Sequence, residues 1–420
     1  MPDNSSPAPF AGIRPVRTGS ARFPLLLRVG GLLLGLAGLS ASLPEGSSGG
    51  ATRLVPAREG DTLRFRKQAM AWESYESVGV ADVNGDGRPD LLSGCFWYQG
   101  PDFHKRHYLG EVKRYGEYWD DFSTICMDVN GDGKPDFVTG GWWGNSVRWR
   151  ENPGNDQEWP EHVIAQTGNV ESTRAWDVDG DGFAEIVPNT PGKPLAFYRL
   201  ERDASQKPLG RFTKVPVAPT QGHGLGFGDV NGDGRGDFIL GNGWLEAPPK
   251  PLAGAWNPHP EFDLGTASVP VLVVDVNGDG RNDLIAGQGH GYGLHWYEQG
   301  YNKSNKQRTW QKHAIDSTGS QFHTMEWVDL DGDQKPELLT GKRYRAHNDN
   351  DPGAYDPVGL YYYQWNGRAF SKHVISYGPY GEGKGTGIFM AVADLRGTGR
   401  KDIVVAGKDG LYVFFNEGTR

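Results

Sequence analysis

DVNGDGRPD, residues 82–90, decides the fold of this chain, because the same pattern returns six more times. The other copies start at Asp128 (DVNGDGKPD), Asp177 (DVDGDGFAE), Asp229 (DVNGDGRGD), Asp275 (DVNGDGRND), Asp329 (DLDGDQKPE) and Asp394 (DLRGTGRKD). Successive starts lie 46, 49, 52, 46, 54 and 65 residues apart. A period of this length is the mark of one supersecondary unit repeated along a chain. Glycines at positions four and six let each loop turn sharply without a Cβ clash.

The pattern is also built from ligands for a hard cation. Oxygen side chains occupy positions one, three, five and nine, the offsets from which a tight loop can wrap one ion. They are Asp82, Asn84, Asp86 and Asp90; Asp128, Asn130, Asp132 and Asp136; Asp177, Asp179, Asp181 and Glu185. The later copies give Asp229, Asn231, Asp233 and Asp237; Asp275, Asn277, Asp279 and Asp283; Asp329, Asp331, Asp333 and Glu337. The sixth copy has Gln334 where glycine is usual, and the seventh has Arg396 and Thr398 in place of two ligands. Up to six Ca²⁺ are therefore expected, with Arg396 filling the seventh loop and pairing with Asp394 and Asp402. The role expected for the ions is structural, since no loop has the bidentate Glu at position twelve that EF-hands use.

Each copy sits between recurring strands. A short apolar run precedes it, and another follows at once, as in DLLSG, DFVTG and DLIAG. Then come an aromatic strand (FWY at Phe96, LHWY at Leu294, LYVFF at Leu411) and a fourth strand often marked by Lys-His. Four strands in seven units make an all-β chain, a seven-bladed β-propeller. The last unit stops after its third strand, and an unattached fourth-strand pattern, LRFRKQAM, lies ahead of the first blade at Leu63–Met70. Closure of the ring by this N-terminal strand would remove the open edges of the array. The repeats span residues 62–417 and resemble the FG-GAP-like and VCBS-type repeats of secreted and integrin-type propellers. That resemblance implies Ca²⁺ at the turn between the first and second strands of a blade.

Ahead of the repeats, Arg14, Arg17, Arg22 and Arg28 lead into an apolar run from Val29 to Leu43. Residues 1–41 read as a signal peptide cleaved near Ala41, and 42–61 as a linker. The apolar run is short for a membrane span. Export to the periplasm or beyond, with no membrane attachment after cleavage, is the expectation. Loss of residues 1–41 would take the net charge from −9 to −12. The first six loops hold 20 carboxylates, so six divalent cations would bring the protein near neutrality. This acidity belongs to the loops, and nothing resembles a nucleic-acid footprint. Cys95 and Cys126 could pair in an exported protein, but their places at the end of one strand and the middle of another favour two thiols.

Topology then divides the faces. If the acidic loops join strands one and two, the opposite mouth is built from the 2–3 loops and the blade-to-blade links. Those segments include RYGEYWDDF at Arg114, GGWWGN at Gly140, VESTR at Val170, QGHGLG at Gln221, GNGWLEAP at Gly241, GQGHGYG at Gly287 and SQFHT at Ser320. The longest insertions, Leu245–Phe262 and Gly341–Gly359, are placed on the same mouth. Aromatic rings among carboxylates and Arg suit a carbohydrate or another small polar ligand. Trp119, Trp142, Trp143, Trp244, Tyr292 and Lys342 are its candidate contacts, with inter-blade packing the alternative for the tryptophans. His223, His290 and His323 come from three consecutive blades, and His347 joins them from the long loop. They could ligate a transition metal or serve as acid and base. His162, His313 and His373 recur in fourth strands and are read as structural.

The runs GHGYGLHWYEQ at Gly289, SQFHT at Ser320 and GKRYRAH at Gly341 resemble the propeller part of the aldos-2-ulose dehydratase family. This second resemblance implies a lyase acting on keto-sugars, with His290, His323, Lys342, Arg343 and His347 at its site. Three functions thus stand side by side: a carbohydrate-binding propeller, a sugar dehydratase, and a protein-interaction propeller of the integrin type.

Overall fold

The computed structural model describes residues 62–419, so the signal peptide and linker expected over 1–61 lie outside the described residues. Among the described residues, seven four-stranded antiparallel sheets follow one another along the chain, six of them paired in sequence order. Blade one is Gly79–Ala81, Asp90–Ser93, Phe96–Gln99 and Lys105–Tyr108. Blades two and three start with Ile125–Met127 and Ser172–Trp176, four and five with Leu225–Gly228 and Leu272–Val274, and six with Phe322–Val328. The seventh sheet takes Met390–Ala393, Asp402–Gly407 and Gly410–Gly418, and its fourth strand is Arg64–Ala71 from the other end of the chain. Arg64 lies opposite Gly418 and Ala71 opposite Leu411. The closure read from the sequence is the one observed, shifted by one residue.

Apolar side chains from neighbouring sheets interleave to form the core. Ile285 and Leu294 of blade five pack with Phe322, Met325, Leu338 and Tyr363 of blade six in one such cluster. The first strands are innermost, and parallel bridges join neighbours around the centre, as between Ser77 and Phe389 or Gly226 and Val271.

The acidic loops turn between first and second strands, with positive φ at the fourth and sixth positions, as at Gly85 and Gly87. Gln334 adopts φ 71° at the glycine position of the sixth loop. Position nine has a role beyond that of a candidate ligand: it is buried in every blade. One oxygen of Asp90 accepts the Val83 N–H at 2.9 Å, and the other accepts Gly100 N–H, at the end of the third strand, at 2.7 Å. Asp136, Asp237, Asp283 and Asp402 repeat this double acceptance. The seventh loop therefore keeps Asp402 although two of its other ligand positions are replaced.

Three expectations need correction. Trp244 is not in a mouth loop: Gly243–Glu246 forms the third strand of blade four, and Asn257–His259 its fourth. Most of the Leu245–Phe262 insertion is the 3–4 connection, on the side of the acidic loops. The long proline-rich connection disguised these two short strands. Arg396 does fill the seventh loop, but its guanidinium reaches Asp402 and Glu417, while Asp394 receives backbone N–H groups. Cys95 and Cys126 are free thiols, as their places in the strands led us to expect.

Removal of residues 1–71 should leave Gly410–Gly418 as an open edge and give an aggregating or strongly destabilised product, whereas removal of 1–58 should leave the melting temperature unchanged. Size-exclusion profiles and melting curves of the two truncations check this; equal behaviour would refute closure as a stabilising contact.

Candidate functional site

The mouth opposite the acidic loops gathers the histidines. His223 lies in the link before Leu225–Gly228, and His290 in the loop between Asp283–Gly287 and Tyr292–Tyr301. His323 is the second residue of blade six's first strand, and His347 belongs to the turn Ala346–Asp349 after Glu337–Lys342. All four converge. His290 Nε2 is 2.8 Å from His223 Nε2, and His290 Nδ1 is 2.9 Å from His347 Nδ1. His323 stands edge-on to His290, with ring centroids 5.5 Å apart, and its buried Nε2 has no hydrogen-bond partner.

Two carboxylates complete the cluster, and neither was singled out in the sequence. Asp351 Oδ2 lies 2.7 Å from His347 Nδ1 and 3.4 Å from His290 Nδ1. Glu171 Oε1 lies 3.5 Å from His223 Nε2. Glu171 stands in VESTR at Val170 and Asp351 in the Gly341–Gly359 insertion, but carboxylates are common in loops, and no motif spacing marked these two. His223 Nδ1 is 2.7 Å from the Ala267 carbonyl, which can only accept, so Nδ1 carries a proton and Nε2 faces the cluster.

Electrostatics sorts these groups. Burial opposes the charge on Glu171, but the hydrogen bond and charge of His223, then Arg343 and His290, bring its pKa down to about 2. Burial likewise opposes charge on His223, yet Glu171 outweighs it and raises the pKa. His290 is lowered to about 4 by burial and then by its two histidine neighbours. Burial, then Arg343, holds His323 well below the usual imidazole range. The cluster thus combines one ion pair with neutral imidazoles, the form that ligates metal.

Arg343 does not reach out as a free cation. It is buried and pairs with buried Glu76 through two hydrogen bonds of 2.7 and 3.0 Å, joining blade six to the link before blade one. Lys342 also turns away, donating to Gln321 Oε1 at 2.8 Å and to the Gly353 carbonyl, so it staples the long loop. Beside the cluster, Tyr118, Phe122, Trp142, Trp143, Glu171, Arg343, His347 and Asn348 line a cavity of about 260 Å³. Trp143 stacks on Tyr115 at 5.1 Å and leans on Tyr118 at 5.2 Å.

The other aromatic candidates lie apart from this cavity. Trp119 donates to Ser74 Oγ and tilts against Tyr75. Trp244 is buried, stacked on His259 at 4.1 Å with Arg308 over the ring. Tyr292 is exposed and donates to Asp356 at 2.6 Å. His162 and His313 stack on Trp149 and Trp296 in the blades, and His373 on Tyr362.

On the opposite face, Asp177, Asp179 and Glu185 bring oxygens within 4.8 Å of one another, as do Asp329, Asp331 and Asp333. Such all-oxygen groups fit Ca²⁺.

The FG-GAP-like repeat model matches residues 128–187 and 275–340, so the chain carries FG-GAP-like repeats. No curated protein matches it. Among solved structures, BBS1N in complex with ARL6DN is similar with a TM-score of 0.50 at 12% identity, covering 85% of this chain and 97% of that one. The exotype rhamnogalacturonan lyase YesX is similar with a TM-score of 0.48 at 13% identity, covering 87% of this chain and 76% of the other. At such identities the likeness concerns the fold.

The Glu171–His223 pair predicts a two-sided pH dependence. Glu171, with its pKa depressed, stabilises the fold above its ordinary value of 4.5 and loses that effect as pH falls toward about 2. His223, with its pKa raised, stabilises below its ordinary 6.5 and loses the effect as pH rises through its folded value. In chelated protein, the stability gap between wild type and Glu171→Gln should be widest between pH 4.5 and 6.5 and narrow on both sides. Denaturant unfolding across pH checks this, and a flat gap would contradict the pairing.

Proposed function

We propose that this protein is an exported, calcium-stabilised propeller that binds a carbohydrate on the mouth opposite its acidic loops, beside a transition metal. The observation that carries the reading is the convergence of four histidines, Glu171 and Asp351 next to a cavity walled by Tyr118, Phe122, Trp142 and Trp143. Aromatic walls offer flat faces to the CH groups of a sugar ring, and Glu171 and Asn348 offer hydrogen bonds to its hydroxyls.

The metal would be held by His290, His347 and Asp351. Their donor atoms are 2.7, 2.9 and 3.4 Å apart, and ligands about 2.0–2.2 Å from a tetrahedral ion stand roughly 3.3 Å apart. Two imidazole nitrogens and a carboxylate are a donor set for zinc or a similar ion, which would act there as a Lewis acid. The chain's own part is to hold His290 neutral, to fix His223 through the Ala267 carbonyl and Glu171, and to keep the aromatic wall in place. Calcium would occupy the acidic loops, up to six ions, and pin first strands to second strands.

A second reading, elimination of water from a keto-sugar, is favoured by one feature. His223 holds its Nδ1 proton on the Ala267 carbonyl and turns Nε2 toward His290 and toward Glu171, which lines the cavity, an arrangement suited to passing a proton between His223 and Glu171.

Dialysis against zinc followed by elemental analysis should give one equivalent per chain in wild type. His290→Ala and His347→Ala should lose it while keeping their calcium. In a glycan and keto-sugar screen, Trp143→Ala should abolish any hit by removing the cavity wall. Full zinc retention in both histidine variants would move the metal elsewhere, and unchanged binding by Trp143→Ala would exclude the aromatic cavity. Chelation of calcium should lower the melting temperature, because empty loops leave like charges close together. An unchanged curve after confirmed metal loss would remove the stabilising role.

A further inference from the structure

We infer that the third acidic loop is closed by Arg199 in place of a cation, so that five loops, not six, take calcium. The inference rests on the calcium reading of the loops and refines it.

One register position on the third strand decides the matter. In every blade, the residue just after position nine pairs across to a third-strand residue, and in blades two to six the side chain of the next residue along bonds to position three of the loop. The pairs are Leu91 with Tyr98, Phe137 with Arg150, Ile186 with Tyr198, Phe238 with Leu245, Leu284 with Tyr297, Leu338 with Tyr363 and Ile403 with Phe414. The residues that follow are Gln99, Glu151, Arg199, Glu246, Glu298, Gln364 and Phe415.

Their chemistry matches loop position three. Where position three is Asn, the partner in blades two, four and five is Glu. Asn130, Asn231 and Asn277 donate from Nδ2 to Glu151, Glu246 and Glu298 at 3.3, 3.4 and 3.1 Å. In blades two and five the amide nitrogen is thereby drawn out of the loop, whereas Asn231 Nδ2 also donates within its loop to Asp233 Oδ2 at 3.0 Å; in all three the amide oxygen faces inward, accepting the N–H of Asp132, Asp233 or Asp279. The other oxygen of each Glu is held by His162, His259 or His313 at 2.8–2.9 Å. Where position three is Asp331, the partner is Gln364, which donates to it at 3.4 Å. In the seventh loop position three is itself Arg396, whose guanidinium sits 5.0 Å from the Phe415 ring.

Blade three alone puts a cation at this position. Arg199 Nε donates to Asp179 Oδ2 at 2.8 Å and Nη2 to Asp181 Oδ2 at 2.6 Å, so one planar fork spans positions three and five. The remaining oxygens of these two carboxylates accept the N–H groups of Asp181 and Phe183. In blades two, four and five the cation is instead Lys134, Arg235 or Arg281 at position seven, and it pairs with position five only. Position three then stays open to an ion. Asp177, Asp179 and Glu185 still place oxygens within 4.8 Å, so withdrawing the guanidinium should leave a loop able to bind.

The test is calcium stoichiometry by equilibrium dialysis of the full chain. Wild type should bind five ions per chain, and Arg199→Gln, which copies the blade-six pairing, should bind six. Asp179→Asn, which removes a ligand charge without deleting Arg199, should stay at five, whereas Asp229→Asn should drop to four. Six ions in wild type, five in folded Arg199→Gln, or four in Asp179→Asn would each overturn the assignment. No calcium in any variant would instead defeat the calcium reading of all the loops, and this inference with it.

Discussion

The buried carboxylate at position nine fixes the geometry on which both faces depend. In blade one, Asp90 ties the turn after the first strand to the end of the third strand through two hydrogen bonds of 2.7–2.9 Å. A buried carboxylate must find donors, and here the donors belong to two different strands. Position nine therefore locks the acidic loop to its blade whether or not an ion is present. It also sets where the second strand starts and hence where the 2–3 loop emerges at the opposite mouth. The seventh blade makes the point: Asp402 survives where two other ligand positions are lost, and Arg396 pairs with it.

The ring then makes a site from residues far apart in the chain. Arg343 meets Glu76 across 267 positions, and His223, His290 and His347 come from separate segments. No single segment holds the site. It exists only when the first strands are arranged around the centre and the N-terminal strand has closed the last sheet. Arg343 and Lys342 are used within this frame, one in a buried ion pair and one in anchoring the long loop, so the cationic groups near the cavity are already committed. What the mouth presents is neutral imidazole, carboxylate and aromatic surface.

The fold was legible because its signals repeat. One loop pattern and its flanking apolar runs recur seven times, so a weak local pattern became decisive through its period, and the orphan strand before blade one declared the closure. Blade four was read poorly because its third and fourth strands are short and separated by a proline-rich connection, which put Trp244 in the wrong place. The histidines of the mouth were found by counting residue type along topologically equivalent loops. Glu171 and Asp351 were not, because side-chain convergence across blades leaves no spacing in the sequence. The pairing between loop position three and the third strand was also invisible until strand register was known.

If the mouth opposite the acidic loops is the functional face, organised around His290, zinc should seat there. Crystals of the full chain grown with zinc, measured on both sides of the zinc absorption edge, test it most directly. One strong anomalous peak in contact with His290, His347 and Asp351 is expected. Density showing those three side chains hydrogen-bonded only to one another, with no peak between them, would contradict it.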